Sequence, residues 1–187
     1  MPKTDPAREA LLTALEASGV SIPLWDGILI EETVRVAPGA TILPGCILRG
    51  NTTIAAGSVI GPGSVLTDAV IGKNCIVKNT YITESTLEEN VSIGPFSQVR
   101  PGCHIAAGCK IGDFVEVKNS HIGQKTAIAH LTYVGDTDCG STKKLQVNMA
   151  NIRKKLGSVP GRNTYILNEL GVGYRMIDED TDARPES

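Results

Sequence analysis

Two cationic side chains stand in register near the middle of the chain. Arg100 and Lys118 lie 18 positions apart, inside a stretch where an aliphatic residue returns at every sixth position. Three such hexads make an 18-residue unit, so both side chains should project from the same face of neighbouring coils. A vertical pair of cations can hold a phosphate through charge-assisted hydrogen bonds. The spacing therefore predicts a phosphate-binding pair, and the alternative is a pair of solvated surface charges.

The six-residue period also predicts the elements that position this pair. An α-helix would need apolar spacings of three and four, and a meander would need alternation at two. Gly and Asn recur within the hexads, and they supply the positive φ that tight corners need. The spacing shortens to five at four places. These are Leu66 to Ile71, Val77 to Ile82, Ile82 to Leu87, and Val117 to Ile122. We interpret these places as corners shortened by one residue. The longest unbroken run consists of Leu87, Ile93, Val99, Ile105, Ile111 and Val117.

This pattern resembles the hexapeptide-repeat, left-handed parallel β-helix. The handedness comes from the resemblance, because the period alone does not fix it. The alternative, a generic Gly-rich β protein, does not explain so many hexads in phase. We expect a mainly all-β chain with an N-terminal helix and linker over residues 1–27, the β-helix over 28–140, a helix with a hairpin over 141–178, and a disordered acidic tail over 179–187.

Both ends of the repeat carry other signals. Asp5 suits the N-cap of a helix, Pro6 its first position and Gly19 its C-terminal end, so a helix should cover the first coil. The hexads stop after Gly140. From there the pattern predicts a helix over residues 143–156 and a hairpin with strands over 164–167 and 173–176.

Composition limits the classes of function. The chain has 187 residues and a formal net charge of −2, which favours neither nucleic acid nor membrane as a partner of the whole chain. It has no run of 18 apolar residues and no secretory signal, so we expect no membrane span. Four of its five cysteines take the small inward position of their hexads, which predicts buried free thiols and a cytoplasmic location. These four are Cys46, Cys75, Cys103 and Cys109.

A set of local motifs points to one enzyme family. The segments Ile111–Asn119 and Ala129–Asp136, together with Gly94–Phe96 and Val99–Gly102, resemble the acetyltransferase half of the bifunctional pyrophosphorylase/glucosamine-1-phosphate N-acetyltransferase of cell-wall precursor synthesis. The resemblance spans residues 8–140. It implies acetyl-CoA as co-substrate, glucosamine 1-phosphate as acceptor, a homotrimer, and no metal for the acetyl transfer.

The resemblance also implies roles for individual residues. His130 matches the catalytic base, which takes a proton from the substrate amine, and an imidazole suits that task near neutral pH. Arg100 and Lys118 match the cations that hold the sugar phosphate. Tyr133 matches a sugar-binding residue, with packing as the alternative. His104 and His121 have no such match, and we expect them to be satisfied surface residues.

The chain departs from this family after Gly140. Family members continue with further coils that supply an Asn, another phosphate-binding Lys and the walls of the acetyl-CoA site, and those coils are not found here. The pyrophosphorylase half is also not found. We therefore expect impaired acetyl transfer, with acetyl-CoA held weakly.

The segment after Gly140 resembles a different family. Gly140–Leu156 and Tyr165–Met176 are similar to the recognition helix and wing of OmpR/PhoB-type winged-helix response regulators, particularly those of potassium transport. This resemblance implies weak, non-specific DNA contact through basic and amide side chains. The residues concerned are Lys143, Lys144, Asn148, Asn151, Arg153, Lys154 and Arg162.

Two functions of different classes follow from the sequence. The first is an N-acetyltransferase domain acting on glucosamine 1-phosphate and impaired by the loss of coils. The alternative is a non-catalytic trimeric scaffold whose basic winged-helix fragment binds DNA.

Overall fold

The computed structural model describes residues 5–135 and the strands Ile166–Glu169 and Gly173–Met176. The chain divides into two compact units, Met1–Cys139 and Gly140–Ser187. The first unit contains one helix and nineteen strands among its described residues, and the second is described through its hairpin. No helix in these described parts is long and apolar enough to cross a membrane.

The N-terminal helix α1 covers Pro6–Ala17 and begins as the sequence predicts. The carboxylate of Asp5 accepts hydrogen bonds from the backbone N–H groups of Ala7 and Arg8, at 3.1 and 3.3 Å. These bonds satisfy two donors that the first turn would otherwise leave unpaired. At the other end, Gly19 has a φ of +98°. The helix is fixed to the first coil because Arg8 Nε donates to the carbonyl of Ile28 at 2.7 Å.

The strands after α1 form three parallel sheets, and the chain visits the sheets in rotation. Sheet 1 contains β1 (Leu29–Ile30), β4 (Ile47–Arg49), β7 (Val65–Thr67), β10 (Tyr81–Thr83), β13 (Gln98–Val99), β16 (Glu116–Lys118) and β19 (Tyr133–Gly135). Sheet 2 contains β2 (Arg35–Val36), β5 (Thr53–Ile54), β8 (Val70–Ile71), β11 (Thr86–Leu87), β14 (His104–Ile105) and β17 (His121–Ile122). Sheet 3 contains β3 (Thr41–Ile42), β6 (Val59–Gly61), β9 (Ile76–Lys78), β12 (Ser92–Ile93), β15 (Lys110–Ile111) and β18 (Ala127–Ile128).

The aliphatic hexad residues form the core of this parallel β-helix. Each lies directly above its counterpart in the previous coil, as Leu66 pairs with Leu48 and Val117 pairs with Val99. Their side chains fill the interior, and Leu87 and Ile93 are completely buried. The six-residue period therefore predicts the inward residues correctly.

The shortened corners are part of the helix, as the sequence analysis interprets them. A non-glycine residue with positive φ stands at each of them: Asp68 (49°), Asn79 (40°), Glu84 (42°) and Asn119 (42°). Asn and Asp tolerate this conformation better than other side chains do, because they form local hydrogen bonds. The coils stay in register across these corners, since β8 pairs with β5 and β11 pairs with β8.

The four described cysteines are buried free thiols, as predicted. Their inward positions place them among aliphatic side chains and hydroxyl groups of the core. Burial raises the pKa of the Cys46 thiol and of the Cys75 thiol above the ordinary cysteine value, because a thiolate loses its hydration there. These thiols serve as small core side chains.

The second unit contains the predicted hairpin. Strands β20 (Ile166–Glu169) and β21 (Gly173–Met176) are antiparallel, and Ile166 pairs with Met176. The first strand lies two residues further along the chain than the predicted 164–167. The predicted helix over residues 143–156 and the tail over 179–187 lie outside the described residues.

The completely buried Ile93 offers a test of the core. We expect Ile93→Ala to lower the free energy of unfolding by about 2–5 kcal/mol, because it removes buried methyl groups and leaves a cavity. Chemical denaturation followed by circular dichroism measures this change. Ser92→Ala, at the outward-facing neighbour in the same strand, should change it by less than about 0.5 kcal/mol. Equal effects of the two substitutions would contradict the assigned register.

Candidate functional site

The outer face of sheet 1 brings the two predicted phosphate-binding cations together. Gln98 pairs with Glu116 and Val99 pairs with Val117, so Arg100 and Lys118 follow at the same position of adjacent coils. The backbone N–H of Arg100 donates to the carbonyl of Val117 at 2.8 Å, which continues the ladder to the end of the strand. Both side chains are exposed at the edge where sheet 1 turns toward sheet 2.

Glu116 is a member of this cluster that the sequence analysis does not single out. Its carboxylate accepts a hydrogen bond from Arg100 Nε in an ion pair between adjacent coils. The side chains are 45% and 35% exposed, so solvent screens the pair only in part. The carboxylate orients the guanidinium and leaves its other N–H groups available for an anion. The spacing of 16 residues is not the repeat period, and the hexads therefore give no signal for this contact.

Tyr133 lies one coil above Glu116 on the same face. The two residues are register partners, and the phenol ring is 60% exposed. Gly135 is the register partner of Lys118. A Cβ at Gly135 would collide with the Tyr133 hydroxyl, so glycine at this position leaves room for the phenol end beside the cation column. Tyr133 therefore lies on the outer face of sheet 1, beside the column that contains Lys118.

His130 lies at the opposite edge of sheet 1, in the corner between β18 and β19. Its backbone N lies 3.0 Å from the position that a Cβ on Gly112 would occupy, so this corner sits directly on the corner below. Thr132 Oγ1 donates to the carbonyls of Ala129 and His130, at 3.0 and 3.2 Å, and holds the turn. The His130 side chain is exposed, and no residue of the described range 5–135 hydrogen bonds to its imidazole.

The edges of sheet 1 separate the candidate base from the cations. About four extended residues lie between the two corners, a distance of roughly 13 Å between backbone positions. The long side chains of Arg100 and Lys118 shorten the gap that a ligand must bridge. These side chains can reach inward over the face, so the anionic group and the nearby amine of one small molecule could lie between the cations and His130, beside Tyr133.

The other two histidines form a separate cluster on sheet 2. The rings of His104 and His121 stack at 4.6 Å with an interplanar angle of 4°. His104 Nε2 lies 2.9 Å from Glu88 Oε1, and the other carboxylate oxygen accepts the Ala107 N–H at 2.8 Å. The hydrogen bond with His104, and after it the hydrogen bond from the Ala107 N–H, hold the pKa of the Glu88 carboxyl below its ordinary value. This cluster agrees with the expectation of satisfied surface histidines.

All seven side chains predicted for DNA contact lie outside the described residues: Lys143, Lys144, Asn148, Asn151, Arg153, Lys154 and Arg162. Among the residues that are described, no three His, Cys, Asp or Glu side chains form a group that could hold a metal ion.

Comparison with known proteins shows a hexapeptide transferase domain. Residues 84–119 match the family described as bacterial transferase hexapeptide (six repeats). The bifunctional protein GlmU of Acetivibrio thermocellus is 38% identical over 163 residues, which cover 85% of this chain and 35% of that protein. The GlmU protein of Brevibacillus brevis is 39% identical over 133 residues, which cover 71% of this chain and 29% of that protein. The chain spans about a third of the length of these relatives.

A solved structure supports the fold. A point mutant of perosamine N-acetyltransferase from Caulobacter crescentus, in complex with CoA and GDP-perosamine, superposes with a TM-score of 0.56 at 20% sequence identity. The match covers 70% of this chain and 61% of that one. The fold is therefore a mainly-β, left-handed parallel β-helix with one N-terminal helix, in agreement with the sequence analysis.

The predicted change of family after Gly140 receives no support from these comparisons. An alignment that covers 85% of a 187-residue chain must continue beyond residue 140, wherever it begins. Similarity to the Acetivibrio thermocellus protein thus extends into the segment that resembles a winged helix. Nothing among the findings supports a response-regulator fragment there, and that resemblance stays a prediction.

The Glu88 contacts predict a pH-dependent contribution to stability. A carboxyl whose pKa is lower in the folded chain stabilises the fold above its ordinary pKa of 4.5 and loses this contribution as the pH falls through the lower folded value. We expect Glu88→Gln to lower the melting temperature at neutral pH. The difference from the unsubstituted chain should shrink toward about pH 3.

Thermal melts of both proteins across this pH range measure the effect. Glu89→Gln, at the next residue along the chain, controls for the change in net charge and should show a smaller difference at neutral pH. A melting-temperature difference for Glu88→Gln that is the same at every pH would contradict the assignment.

Proposed function

We propose that the chain is an acyl-CoA-dependent N-acetyltransferase domain whose acceptor is an amino-sugar phosphate, specifically glucosamine 1-phosphate. The observation that carries the proposal is the stacking of Arg100 on Lys118 at one edge of sheet 1, with His130 at the other edge. The motif resemblance supplies the identity of the acceptor. The hexapeptide transferase match and the GlmU relatives support acyl transfer as the class of reaction.

The cation pair provides the anchor for the acceptor. A phosphate placed against adjacent coils meets the guanidinium of Arg100 and the ammonium of Lys118, and two cations balance its charge. The guanidinium offers fixed N–H donors on one side while Glu116 holds the other side. Tyr133, exposed beside the cation column, can donate its phenol hydroxyl to the sugar. These contacts fix the orientation of the sugar ring on sheet 1.

His130 then serves as the general base at the amine end. The neutral amine nitrogen attacks the carbonyl carbon of the acetyl thioester, and His130 takes the proton that the nitrogen loses. The C–N bond forms, the C–S bond breaks, and the electron pair leaves on the sulfur of CoA. The proton on His130 passes to that thiolate, so the products are the N-acetylated sugar phosphate and free CoA thiol. An exposed imidazole can complete this cycle without a metal ion.

A homotrimer, and weak binding of acetyl-CoA, remain predictions from the family resemblance. The alternative function, a DNA-binding scaffold, stays a prediction, because the residues that would bind DNA lie outside the described residues and the relatives do not support it.

The role of His130 is tested by product formation. We expect the purified chain, mixed with acetyl-CoA and glucosamine 1-phosphate, to form the N-acetylated product, detected by mass spectrometry. His130→Ala should lower the rate by about 10²–10⁴-fold, because the general base is lost. His121→Ala, which removes an exposed histidine from sheet 2, should leave the rate within about twofold. Loss of activity in the His121 variant alone would contradict the assignment.

The phosphate anchor is tested by binding. We expect Arg100→Ala and Lys118→Ala each to weaken glucosamine 1-phosphate binding by about tenfold or more, because each removes a charge-assisted bond worth about 1.5–3 kcal/mol. Isothermal titration calorimetry measures the affinity, with glucosamine as the ligand that lacks the phosphate. Both substitutions should leave glucosamine binding unchanged. Equal losses of affinity for glucosamine 1-phosphate and for glucosamine would show that the two cations do not bind the phosphate.

A further inference from the structure

The two tyrosines of the first unit occupy one column on the outer face of sheet 1. Register pairs between successive coils link the four members of this column, which are Tyr81, Gln98, Glu116 and Tyr133. Stacked coils are about 4.8 Å apart, so roughly 14 Å separate the two tyrosine positions along the helix axis. We call these four residues the tyrosine column. The candidate acceptor site uses only Glu116 and Tyr133, in the last two coils.

Tyr81 lies at the other end of the column and contributes little to the core. Its side chain is 54% exposed, and its register neighbours are the half-buried Val65 and the exposed Gln98. A ring with half of its surface in water gains little from hydrophobic burial. An exposed aromatic ring does offer a surface on which another ring can stack. Tyr81 is therefore a stacking platform two coils away from Glu116.

A hydroxyl group extends the cation pair in the direction of Tyr81. Ile82 pairs with Val99, so Thr83 and Arg100 follow at the same position of adjacent coils, and Lys118 takes that position in the next coil. Thr83 is half-buried. Its backbone position is about 4.8 Å from that of Arg100. The edge of sheet 1 thus presents a hydroxyl, a guanidinium and an ammonium in a row, and all three can donate to phosphate oxygens.

We propose that the tyrosine column and Thr83 bind a nucleoside diphosphate, so that the chain also acetylates glucosamine carried on a nucleoside diphosphate. This proposal rests on the proposed function. The phosphate attached to the sugar keeps its place between Arg100 and Lys118. The second phosphate lies between Arg100 and Thr83, because only one bridging oxygen separates the two phosphates and the coils are about 4.8 Å apart. The nucleobase stacks on Tyr81.

The dimensions of the outer face agree with this ligand. Tyr81 precedes Thr83 by two extended residues, which is about 7 Å. The ribose ring, which joins the second phosphate to the base, spans this interval. Gln98 lies beside Tyr81 and is exposed, so its amide can donate to a ribose hydroxyl or to a base carbonyl. The diphosphate carries two negative charges, and Arg100 and Lys118 supply two cations along the same edge.

The acetyl transfer does not change with the longer acceptor. The nucleotide extends toward the earlier coils, whereas the sugar amine still lies at the edge that carries His130. The amine nitrogen forms a C–N bond with the acetyl carbon, the C–S bond breaks, and the electron pair leaves on the sulfur of CoA. The proton that the nitrogen loses passes through His130 to this thiolate.

Calorimetric titrations with glucosamine 1-phosphate and with UDP-glucosamine test the proposal. We expect the unsubstituted chain to bind UDP-glucosamine about tenfold more tightly, because one base stacks on an aromatic side chain. Tyr81→Ser should remove this gain, and Tyr81→Phe, which keeps the ring, should retain it. Thr83→Val, which replaces the hydroxyl with a methyl group, should weaken UDP-glucosamine binding by about tenfold. All three variants should bind glucosamine 1-phosphate as the unsubstituted chain does.

Val70→Ser is the matched control, because Val70 is 46% exposed but lies on sheet 2. It should leave both affinities unchanged, and thermal melts should show that both Ser variants keep the fold. Mass spectrometry should detect N-acetylated UDP-glucosamine, and His130→Ala should abolish this product. Equal affinities for the two acceptors in the unsubstituted chain, or a gain that persists in Tyr81→Ser, would overturn the proposal.

Sedimentation of Tyr81→Ser tests whether a second copy of the chain covers this face instead. Leu29, Ile47 and Val65 continue the column of Tyr81 into the first three coils. Loss of self-association in this variant would show that copies of the chain meet here, and the proposal would be wrong. Unchanged sedimentation together with weaker UDP-glucosamine binding would support it.

The same measurements separate this proposal from the proposed function. Failure of the nucleotide site alone leaves glucosamine 1-phosphate binding and His130-dependent acetylation of that acceptor intact. Failure of the proposed function removes both of those activities from the unsubstituted chain.

Discussion

The stacking of similar coils on a shared aliphatic column constrains every other feature of this β-helix. Because each inward side chain lies on its counterpart in the previous coil, the backbone hydrogen bonds between coils run without interruption along all three sheets. Any outward residue therefore lies one coil above a residue that is 16, 17 or 18 positions earlier in the chain. The core thus converts sequence distance into a position on the outer surface.

The candidate site makes use of this conversion. Arg100 and Lys118 keep the full 18-residue spacing, whereas Lys118 and Gly135 are 17 apart because the corner at Asn119 is shortened. Despite this shortened corner, Tyr133 and Gly135 lie on the same outer face of sheet 1 as Glu116 and Lys118. The site consists mainly of side chains that need only be exposed, so the core can be built from apolar residues while the outer face carries charge. Stability and chemistry are in this way assigned to opposite faces of the same short strands.

The sequence predicts the features that follow from periodicity and from local capping. It identifies the inward column, the buried cysteines, the N-cap at Asp5 and the vertical alignment of Arg100 with Lys118. It does not identify the Glu116 contact with Arg100, because that contact depends on side-chain reach between coils rather than on the period. Nor does it identify the positive φ of Phe96 and Phe114, since the corner geometry imposes a conformation that those residue types disfavour. The change of pattern after Gly140 suggests a change of family at that point. The alignment with the Acetivibrio thermocellus protein nevertheless continues beyond it.

A crystal structure of the chain with bound glucosamine 1-phosphate tests the central claim most directly. We expect the sugar to lie on the outer face of sheet 1, with its phosphate within about 4 Å of both the Arg100 guanidinium and the Lys118 ammonium. We also expect the amine to point toward the edge that carries His130. A phosphate bound away from these two cations, or an amine directed away from His130, would contradict it.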